Sequence, residues 1–414
     1  MLKESDSEKS NIKKSDVENI FTDFLSKNPL FTNKKVLQSN YTPDNIPHRN
    51  DQINQIAQIL APCLRFNKPS NLFVYGKTGT GKTLSVLHTT NKLMEMAKKT
   101  NVSLKIIYIN CKLKKVADTE YRLIAQIARE FGKNIPATGL PTDEIYKSFF
   151  ETLDSEEQIL VLVLDEIDQL VKKAGDEILY NLTRINAELK KAQVSIIGIS
   201  NDLIFADNLD PRVKSSLSEE ELVFPPYNAM QIQDILRGRA KEAFKENTLL
   251  PGVIEKCAAY AAREHGDARR ALDLLRVSGD VAERNGRENV RIEDIDEAEE
   301  KIEKERIVDL ITTQPKQFQA TLYSILLVND KSNNIIFTGE IYELYQKICG
   351  QIGLRPLTQR RFSDIIAELD MLGIICAKVM SKGRYGRTRE ITVAVQPQLI
   401  PKIMEIIKKD IELQ

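Results

Sequence analysis

Short apolar runs alternate with amphipathic stretches over residues 71–200, and this alternation predicts the first folded domain. We interpret four apolar runs as strands, at residues 72–75, 105–110, 159–164 and 194–200. Between them, apolar side chains recur every three or four positions, as they do on one face of an α-helix. Strands that alternate with helices in this way predict an α/β domain built on a parallel sheet.

The periodicity changes after residue 226. Residues 229–283 contain three helical periods with no strand signal between them, separated by Pro251, Gly252 and Gly266, which predicts a small all-α domain. A charged helix predicted over 292–310 leads to further helical segments. Two strand-like runs then follow, at 374–380 and 390–395, around a glycine-rich basic turn. Helices followed by a β-hairpin are typical of a winged helix.

These patterns divide the chain into four regions. Residues 1–16 are rich in Ser, Lys, Glu, Asp and Asn, so we expect a disordered tail. The α/β domain is predicted over 17–226, the helical domain over 227–304 and the winged helix over 305–414.

The composition mainly excludes certain classes of protein and of metal site. The chain has 414 residues, of which 42% are hydrophobic, enough for two or three domains with real cores. Because 59 basic residues balance 59 acidic ones, net charge argues neither for nor against nucleic acid. The five cysteines form no C-x-x-C pair and the three histidines are far apart, which argues against a thiol or imidazole metal site. No apolar run has the length of a membrane span, so we expect a soluble, cytoplasmic protein without a membrane partner.

A glycine-rich octet follows the first predicted strand and precedes a predicted helix. It fits the pattern G-x-x-x-x-G-K-T and consists of Gly76, Lys77, Thr78, Gly79, Thr80, Gly81, Lys82 and Thr83. The glycines allow backbone N–H groups to face phosphates, Lys82 supplies a positive charge, and the Thr83 hydroxyl can bind Mg²⁺. The flanking elements argue against a merely flexible turn, so the octet predicts a nucleotide site.

Polar side chains follow two of the predicted strands. Asp165 and Glu166 come directly after the apolar run 159–164, at the edge of the sheet where doubly wound folds bind ligands. We expect Asp165 to hold Mg²⁺ and Glu166 to polarise an attacking water. Asn201 follows the next strand and could orient that water. The alternatives are that the acids only cap a strand and that Asn201 only forms a turn.

Two arginines lie where phosphate sensing needs cations. Arg212 belongs to the segment Asp-Pro-Arg-Val-Lys-Ser-Ser at 210–216, and Arg269 to Gly-Asp-Ala-Arg-Arg at 266–270, before a predicted helix. Taken singly, such arginines are commonly surface ion-pair residues.

On these motifs the chain resembles the ATPases associated with diverse activities. Within them it is similar to the archaeal initiators related to origin-recognition-complex subunit one and cell-division-control protein six. The resemblance covers about residues 40 to 414. It implies that the octet is Walker A, that Asp165 and Glu166 are Walker B, and that Asn201 is sensor one. It further implies that Arg212 is the arginine of the family's D-P-R-V-x-S-S segment and Arg269 is sensor two.

Further nucleotide contacts are implied by the same resemblance. Residues 43–49 resemble the P-x-x-x-P-H-R box that lines the adenine pocket, which points to His48 and Arg49. Tyr227 resembles the tyrosine at the entry to the lid. Leu84 and Arg239 complete the residues expected to bind ATP or ADP. A satisfied structural histidine and a packed aromatic remain the alternatives for His48 and Tyr227.

Three regions are candidates for contact with DNA. The stretch 118–153 is longer than a βαβ crossover needs and resembles the initiator-specific insertion, with Thr138 and Gly139 in a turn expected to touch the DNA backbone. An ordinary surface loop is the alternative. In the third domain a helix is predicted to begin near Thr358. Phe362, Ile365, Ile366 and Leu369 would form its apolar face, which leaves Gln359, Arg360 and Ser363 towards solvent. Of the first residues of this helix, Thr358, Gln359 and Arg360 are expected to contact DNA in a major groove.

The predicted hairpin is the third region. Five basic residues fall within twelve positions that contain no acid, around Gly383 and Gly386: Lys378, Lys382, Arg384, Arg387 and Arg389. With Tyr385, they suit a wing placed against phosphates or in a minor groove. A solvated basic hairpin or a protein-docking surface is the alternative.

The resemblance implies an ATP-dependent initiator that binds duplex origin DNA at the nucleoid and uses slow hydrolysis as a switch. The implied partners are a minichromosome-maintenance-type helicase and other initiator paralogues. An arginine finger at Arg212 would need a neighbouring copy. Two other classes stay open, a helicase or clamp loader whose winged helix docks protein and a nucleotide-gated transcription regulator.

Overall fold

A computed structural model describes residues 19, 21–22, 28–39, 41–112, 119–132, 135–136, 141–217, 219–331, 336–381 and 387–413. The chain divides into two compact units, Met1–Ile295 and Asp296–Gln414. The predicted boundary at 304/305 and this division fall within the same long helix, Ile292–Thr312. No helix in the described ranges is both long and apolar enough to cross a membrane.

A five-stranded parallel sheet forms the centre of the first unit. Its strands are β1 (Leu72–Tyr75), β2 (Leu104–Asn110), β3 (Ile159–Asp165), β4 (Gln193–Ser200) and β5 (Glu220–Val223), in the order β2-β3-β4-β1-β5. The four predicted strands are confirmed to within one residue. The fifth was not predicted because it is a short edge strand, Glu-Glu-Leu-Val, in which only Leu222 is buried.

Helices cover both faces of this sheet. They are α1 (Asn50–Leu60), α2 (Lys82–Thr100), α3 (Glu120–Glu130), α4 (Thr142–Leu153), α5 (Ile167–Ala174), α6 (Glu177–Arg184) and α7 (Pro211–Leu217). Alternate residues of β3 enter two hydrophobic cores, with Leu160, Leu162 and Leu164 on one face. Ile159, Val161 and Val163 are on the other face, beside α1 and α2. Burial on both faces explains why the run 159–164 is apolar throughout.

Three helices follow the sheet within the first unit, as the periodicity predicts. They are α8 (Ala229–Ala243), α9 (Val253–Arg263) and α10 (Ala268–Arg284). Asn228 and Gln231 form a capping box at the start of α8. The segment 28–39 packs on these helices, because Thr32 N donates to Ala243 O at 2.8 Å and the Phe31 and Phe244 rings lie 4.6 Å apart. The pattern of the sequence had placed that segment with the α/β domain.

The second unit is a winged helix. After the long helix α11 (Ile292–Thr312), it contains α12 (Lys316–Lys331), β6 (Ile336–Phe337), α13 (Thr338–Gln351), α14 (Gln359–Met371), β7 (Ile375–Ser381), β8 (Arg387–Val393) and α15 (Ile400–Asp410). The three strands pair antiparallel in the order β6-β8-β7. The second strand of the hairpin begins three residues earlier than predicted. β6 was not predicted because two residues carry no periodic signal.

Candidate functional site

A cavity of about 610 Å³ lies in the first unit at the carboxyl ends of the parallel strands. Ligand pockets of this size and place are usual in α/β proteins. Twelve of the predicted residues line it: Gly79, Thr80, Gly81, Lys82, Thr83, Leu84, Asp165, Glu166, Asn201, Tyr227, Arg239 and Arg269. The structure therefore brings together residues that are up to 190 positions apart in the sequence.

The loop between β1 and α2 is tight, and its glycines have a physical reason. Gly79 has φ 68° and Gly81 has φ 88°, in the left-handed region that disfavours side chains. A Cβ on Gly79 would lie 1.7 Å from Asp267 Oδ1, and one on Gly81 would lie 2.8 Å from the Tyr227 hydroxyl. The loop is thus a close-fitting backbone cradle between the sheet and the helices that follow it.

Lys82 places a buried positive charge in this cradle. Its Nζ donates to the carbonyl oxygens of Gly76 and Lys77, both at 2.7 Å. Only 4% of the residue is exposed, and this burial lowers the pKa of its ammonium to about 8. A buried ammonium that is held by neutral carbonyls fits an anionic group such as a nucleotide polyphosphate.

Oxygen ligands suitable for Mg²⁺ lie beside the cradle. Thr83 Oγ1 donates to Asp165 Oδ2 at 2.9 Å, which joins the start of α2 to the end of β3. Glu166 N donates to Asp165 Oδ1 at 2.9 Å, and Glu166 adopts φ 53°. Hydroxyl and carboxylate oxygens are what Mg²⁺ prefers, so the predicted pair Thr83 and Asp165 fits this ion.

Arg269 reaches the cavity from the helical domain. Asp267 caps α10 by accepting a hydrogen bond from Arg269 N at 2.8 Å, and Ala268 N donates to Gly79 O at 3.3 Å. Lys77 Nζ donates to His265 Nδ1 at 3.2 Å, in the turn before α10. The first turn of α10 therefore lies on the phosphate loop, and this contact brings Arg269 to the cavity.

Arg49 and His48 were predicted to contribute to the adenine pocket, and neither is among the residues that line the cavity. Arg49 is 2% exposed, and its Nε and Nη2 donate to Thr80 O at 2.8 Å and to Pro225 O at 2.6 Å. Its guanidinium lies 3.8 Å from the centre of the Tyr227 ring. His48 pairs with Asp234 at 3.0 Å, and Asp234 itself lines the cavity. Arg49 thus links the phosphate loop, through Thr80 O, to the segment that follows β5, through Pro225 O.

Other residues that line the cavity were not marked by any motif, or were named only within the box at residues 43–49. Gln38, Ser39 and Tyr41 line it together with residues 43–47. Arg239 is 9% exposed, donates from Nη1 to Val36 O at 3.4 Å and lies over the Tyr41 ring at 4.7 Å. Burial lowers the pKa of Arg239. No spacing marks Gln38, Ser39 and Tyr41, so only the folded chain reveals them.

Two further predicted sets lie outside this cavity. Gly76, Lys77 and Thr78, the first residues of the octet, are absent from the cavity lining. Arg212 binds Asp210 through Nε at 3.0 Å and Nη2 at 2.9 Å, and it lies 5.0 Å from the centre of the Tyr180 ring. Within its own chain, Arg212 therefore does not line the nucleotide cavity.

The second unit carries the predicted recognition helix, α14. Thr358 caps it by accepting from Arg361 N at 3.5 Å, and Phe362, Ile366 and Leu369 are fully buried. Gln359 and Arg360 are exposed, as predicted. Arg389 was also predicted to contact DNA, and its Nη1 donates to Ser363 O at 2.8 Å. That contact ties the hairpin to α14.

Several predicted DNA contacts cannot be placed. Thr138, Gly139, Lys382, Arg384 and Tyr385 lie outside the described residues, and the same holds for the side chain of Arg387. Their roles stay predictions.

Family models match three successive segments of the chain. An AAA domain matches residues 66–203, and the Cdc6 AAA+ ATPase-type lid domain matches residues 233–300. The C-terminal winged helix domain of CDC6 matches residues 309–402. The sheet with its phosphate loop, the three helices α8 to α10 and the second unit thus each correspond to a module of one architecture.

Full-length relatives agree with these matches. The ORC1-type DNA replication protein of Thermococcus onnurineus is 52% identical over 402 residues, 96% of this chain and 95% of that protein. The ORC1-type DNA replication protein 1 of Methanosarcina mazei is 50% identical over 395 residues, 95% of this chain and 94% of that protein. The solved Aeropyrum pernix ORC1 protein in complex with DNA is 45% identical, with a TM-score of 0.81 over 92% of this chain and 97% of that chain. The chain therefore belongs to the family of ORC1-type DNA replication proteins, AAA+ ATPases with a helical lid and a C-terminal winged helix.

Proposed function

We propose that this chain is an ATP-dependent replication initiator that binds duplex origin DNA. The observation that carries the proposal is the likeness to the Aeropyrum pernix ORC1 protein, whose structure was solved in complex with DNA. That likeness extends over both units of this chain, so it includes the nucleotide site and the winged helix together.

DNA would be held by the winged helix and by the insertion of the ATPase domain. Supporting this, α14 exposes Gln359 and Arg360 at its N-terminal turn, where a recognition helix meets base edges. The wing would contribute Lys382, Arg384 and Arg387 to phosphates, and Arg389 would hold the wing against α14. Between α3 and α4, Thr138 and Gly139 would touch the DNA backbone.

ATP state would act as a switch. Bound Mg²⁺ would neutralise charge on the phosphates. Lys82 and Arg269 would bind the phosphates, Glu166 would polarise the attacking water and Asn201 would orient it. The contact of Ala268 with Gly79 supports a link between nucleotide state and lid position. Turnover would be slow in a single copy, because Arg212 is bound to Asp210 and would act on the nucleotide of a neighbouring copy.

Recruitment of a minichromosome-maintenance-type helicase and cooperation with initiator paralogues belong to the same proposal. Family membership supports them.

Fluorescence anisotropy tests the DNA-binding part. The intact protein is titrated against origin and scrambled duplexes, with ATP or ADP, across a salt series. We expect tighter binding to the origin duplex. The double reversal Arg384→Glu and Arg387→Glu should weaken binding to all duplexes and flatten the salt dependence, because fewer counterions are released.

The double reversal Lys402→Glu and Lys409→Glu is the matched control, since both lysines are exposed on α15 of the same unit. It changes net charge equally and should affect binding much less. Unchanged affinity and salt slope in the wing variant would remove the wing from the proposal. No duplex binding with either nucleotide would instead favour a loader whose winged helix docks protein.

A further inference from the structure

One polar contact in the nucleotide cavity belongs to none of the predicted motifs. Tyr108 lies on β2, the edge strand beside β3, and its ring lines the cavity. Its hydroxyl donates to Asp165 Oδ2 at 2.6 Å. Hydroxyl bonds to a carboxylate of this length are charge-assisted and are among the stronger hydrogen bonds in proteins.

The strand register explains how this contact arises. Asn110 lies directly opposite Asp165 in the parallel pair, and Tyr108 lies two residues earlier, opposite Val163. Because side chains alternate along a strand, Tyr108 and Asn110 project to the same face, and both line the cavity. The long phenol can therefore reach the carboxylate diagonally across the two strands.

Asp165 is held by three donors, of which Tyr108 makes the shortest bond. Oδ2 accepts from Tyr108 at 2.6 Å and from Thr83 at 2.9 Å, while Oδ1 accepts from Glu166 N at 2.9 Å. Thr83 is itself expected to turn its oxygen towards a metal ion. Of the two side chains that donate to Asp165, Tyr108 is the one for which no other role is proposed.

Core packing does not account for Tyr108. Its neighbours Ile107 and Ile109 are buried in the core on one face of the sheet, whereas Tyr108 is 39% exposed. The hydroxyl, rather than the ring, makes the contact that links β2 to the metal-binding carboxylate. A phenylalanine at this position would keep the ring and lose only that contact.

We propose that Tyr108 is a positioning residue that orients the Asp165 carboxylate for Mg²⁺ when nucleotide binds. The inference rests on the proposed function, because it requires that the cavity binds ATP with Mg²⁺. Outer partners that orient a metal ligand commonly change metal affinity by about 10- to 100-fold. Tyr108 would thus act through Asp165 on metal binding and would not touch the phosphates.

The test compares binding of a fluorescent ATP analogue with excess Mg²⁺ and with EDTA, in the intact protein. For Tyr108→Phe we expect about a tenfold loss of affinity with Mg²⁺ and no change in EDTA. In an Asp165→Asn background, Tyr108→Phe should have no further effect on the Mg²⁺ dependence, because the two residues act as one unit.

Tyr146→Phe is the matched control. The Tyr146 hydroxyl donates to the Glu120 carboxylate between α4 and α3, away from the cavity. This variant should keep the wild-type affinity under both conditions. The melting temperature of each variant confirms that it is folded.

The outcomes separate the two proposals. Wild-type protein that binds no nucleotide with or without Mg²⁺ would overturn the proposed function and this inference with it. Wild-type binding that Mg²⁺ strengthens, with an unchanged Tyr108→Phe variant, would overturn the inference alone. An equal loss for Tyr108→Phe in Mg²⁺ and EDTA would also contradict it, since Tyr108 would then shape the pocket and not the metal ligand.

Discussion

Lys82 is the residue whose chemistry depends most on its surroundings. The residue is 4% exposed, its ammonium donates to two backbone carbonyls, and Asp165 is the charge that stabilises it most. Desolvation disfavours the charged form and lowers its pKa from 10.5 to about 8. A bound polyphosphate would favour the charged form again. Protonation of Lys82 and nucleotide binding are therefore linked.

This linkage predicts the pH dependence of nucleotide affinity. Well below pH 8 Lys82 carries its proton and affinity should change little with pH, whereas at about pH 8 half of the free protein has lost that proton. Above that pH, binding must take up a proton, so affinity should fall by up to about tenfold per pH unit. Equilibrium titrations with an ATP analogue between pH 7.5 and 9.5 measure this fall.

Lys82→Arg is the control for this titration. Arginine stays charged throughout the range, so any residual binding by this variant should show a flat profile. A flat profile in the wild-type protein would show that Lys82 keeps its proton and that its desolvation is compensated.

At the level of elements, the contact between the first turn of α10 and the phosphate loop matters most for the site. Gly266 allows the turn before it, since a Cβ there would lie 2.3 Å from Tyr227 O. Asp267 then caps the helix directly over Gly79. The phosphate loop and the lid helix thus fit together only because two glycines lack side chains.

Gly79→Ala should disturb this fit. The new Cβ would lie 1.7 Å from Asp267 Oδ1 and 2.9 Å from Asp267 Cα, and φ 68° adds backbone strain. We expect a loss of stability of about 1–3 kcal/mol and a weaker affinity for nucleotide. Chemical denaturation and titration with an ATP analogue measure the two effects.

Gly175→Ala is the control that measures the effect of backbone strain without a steric clash. Gly175 ends α5 with φ 82°, but a Cβ there meets nothing within 4 Å. This variant should lose stability through strain alone, by about 1–3 kcal/mol, and keep its nucleotide affinity. If both variants behaved alike in both measurements, the contact between α10 and the phosphate loop would have no role in binding.

At the scale of the whole molecule, each of the two units has its own core. The nucleotide cavity is lined entirely by residues of the first unit. The second unit has a separate cluster around Phe362, Tyr345 and Ile366, in which the Tyr345 and Phe362 rings lie 4.8 Å apart. Ligand binding therefore stabilises the first unit directly.

Calorimetry should detect this division. ATP with Mg²⁺ at 100 times Kd should raise the free energy of unfolding of the first unit by about 2.7 kcal/mol. We therefore expect the melting temperature of the first unit to rise more than that of the second. Phe362→Ala should lower the transition of the second unit and so identify it, since the ring is fully buried. One transition that shifts as a whole would show that both units unfold together.

Several features of this protein follow from its sequence alone. Four of the five strands of the sheet, the phosphate loop, and Asp165 with Glu166 are all recognisable because each depends on local geometry. A turn needs glycines, a buried strand needs an apolar run, and a sheet edge brings polar residues after successive strands together. The exposed Gln359 and Arg360 of α14 follow from helical periodicity for the same reason.

Only the tertiary structure decided the remaining contacts of the site. Tyr108 reaches Asp165 across two strands, and Gln38, Ser39 and Tyr41 complete the cavity with no spacing to mark them. Arg49 belongs to a recognisable box, yet its donors are taken by carbonyls 31 and 176 residues away. Such contacts join residues distant in the chain, and their partners are set by how strands and helices pack rather than by any local pattern.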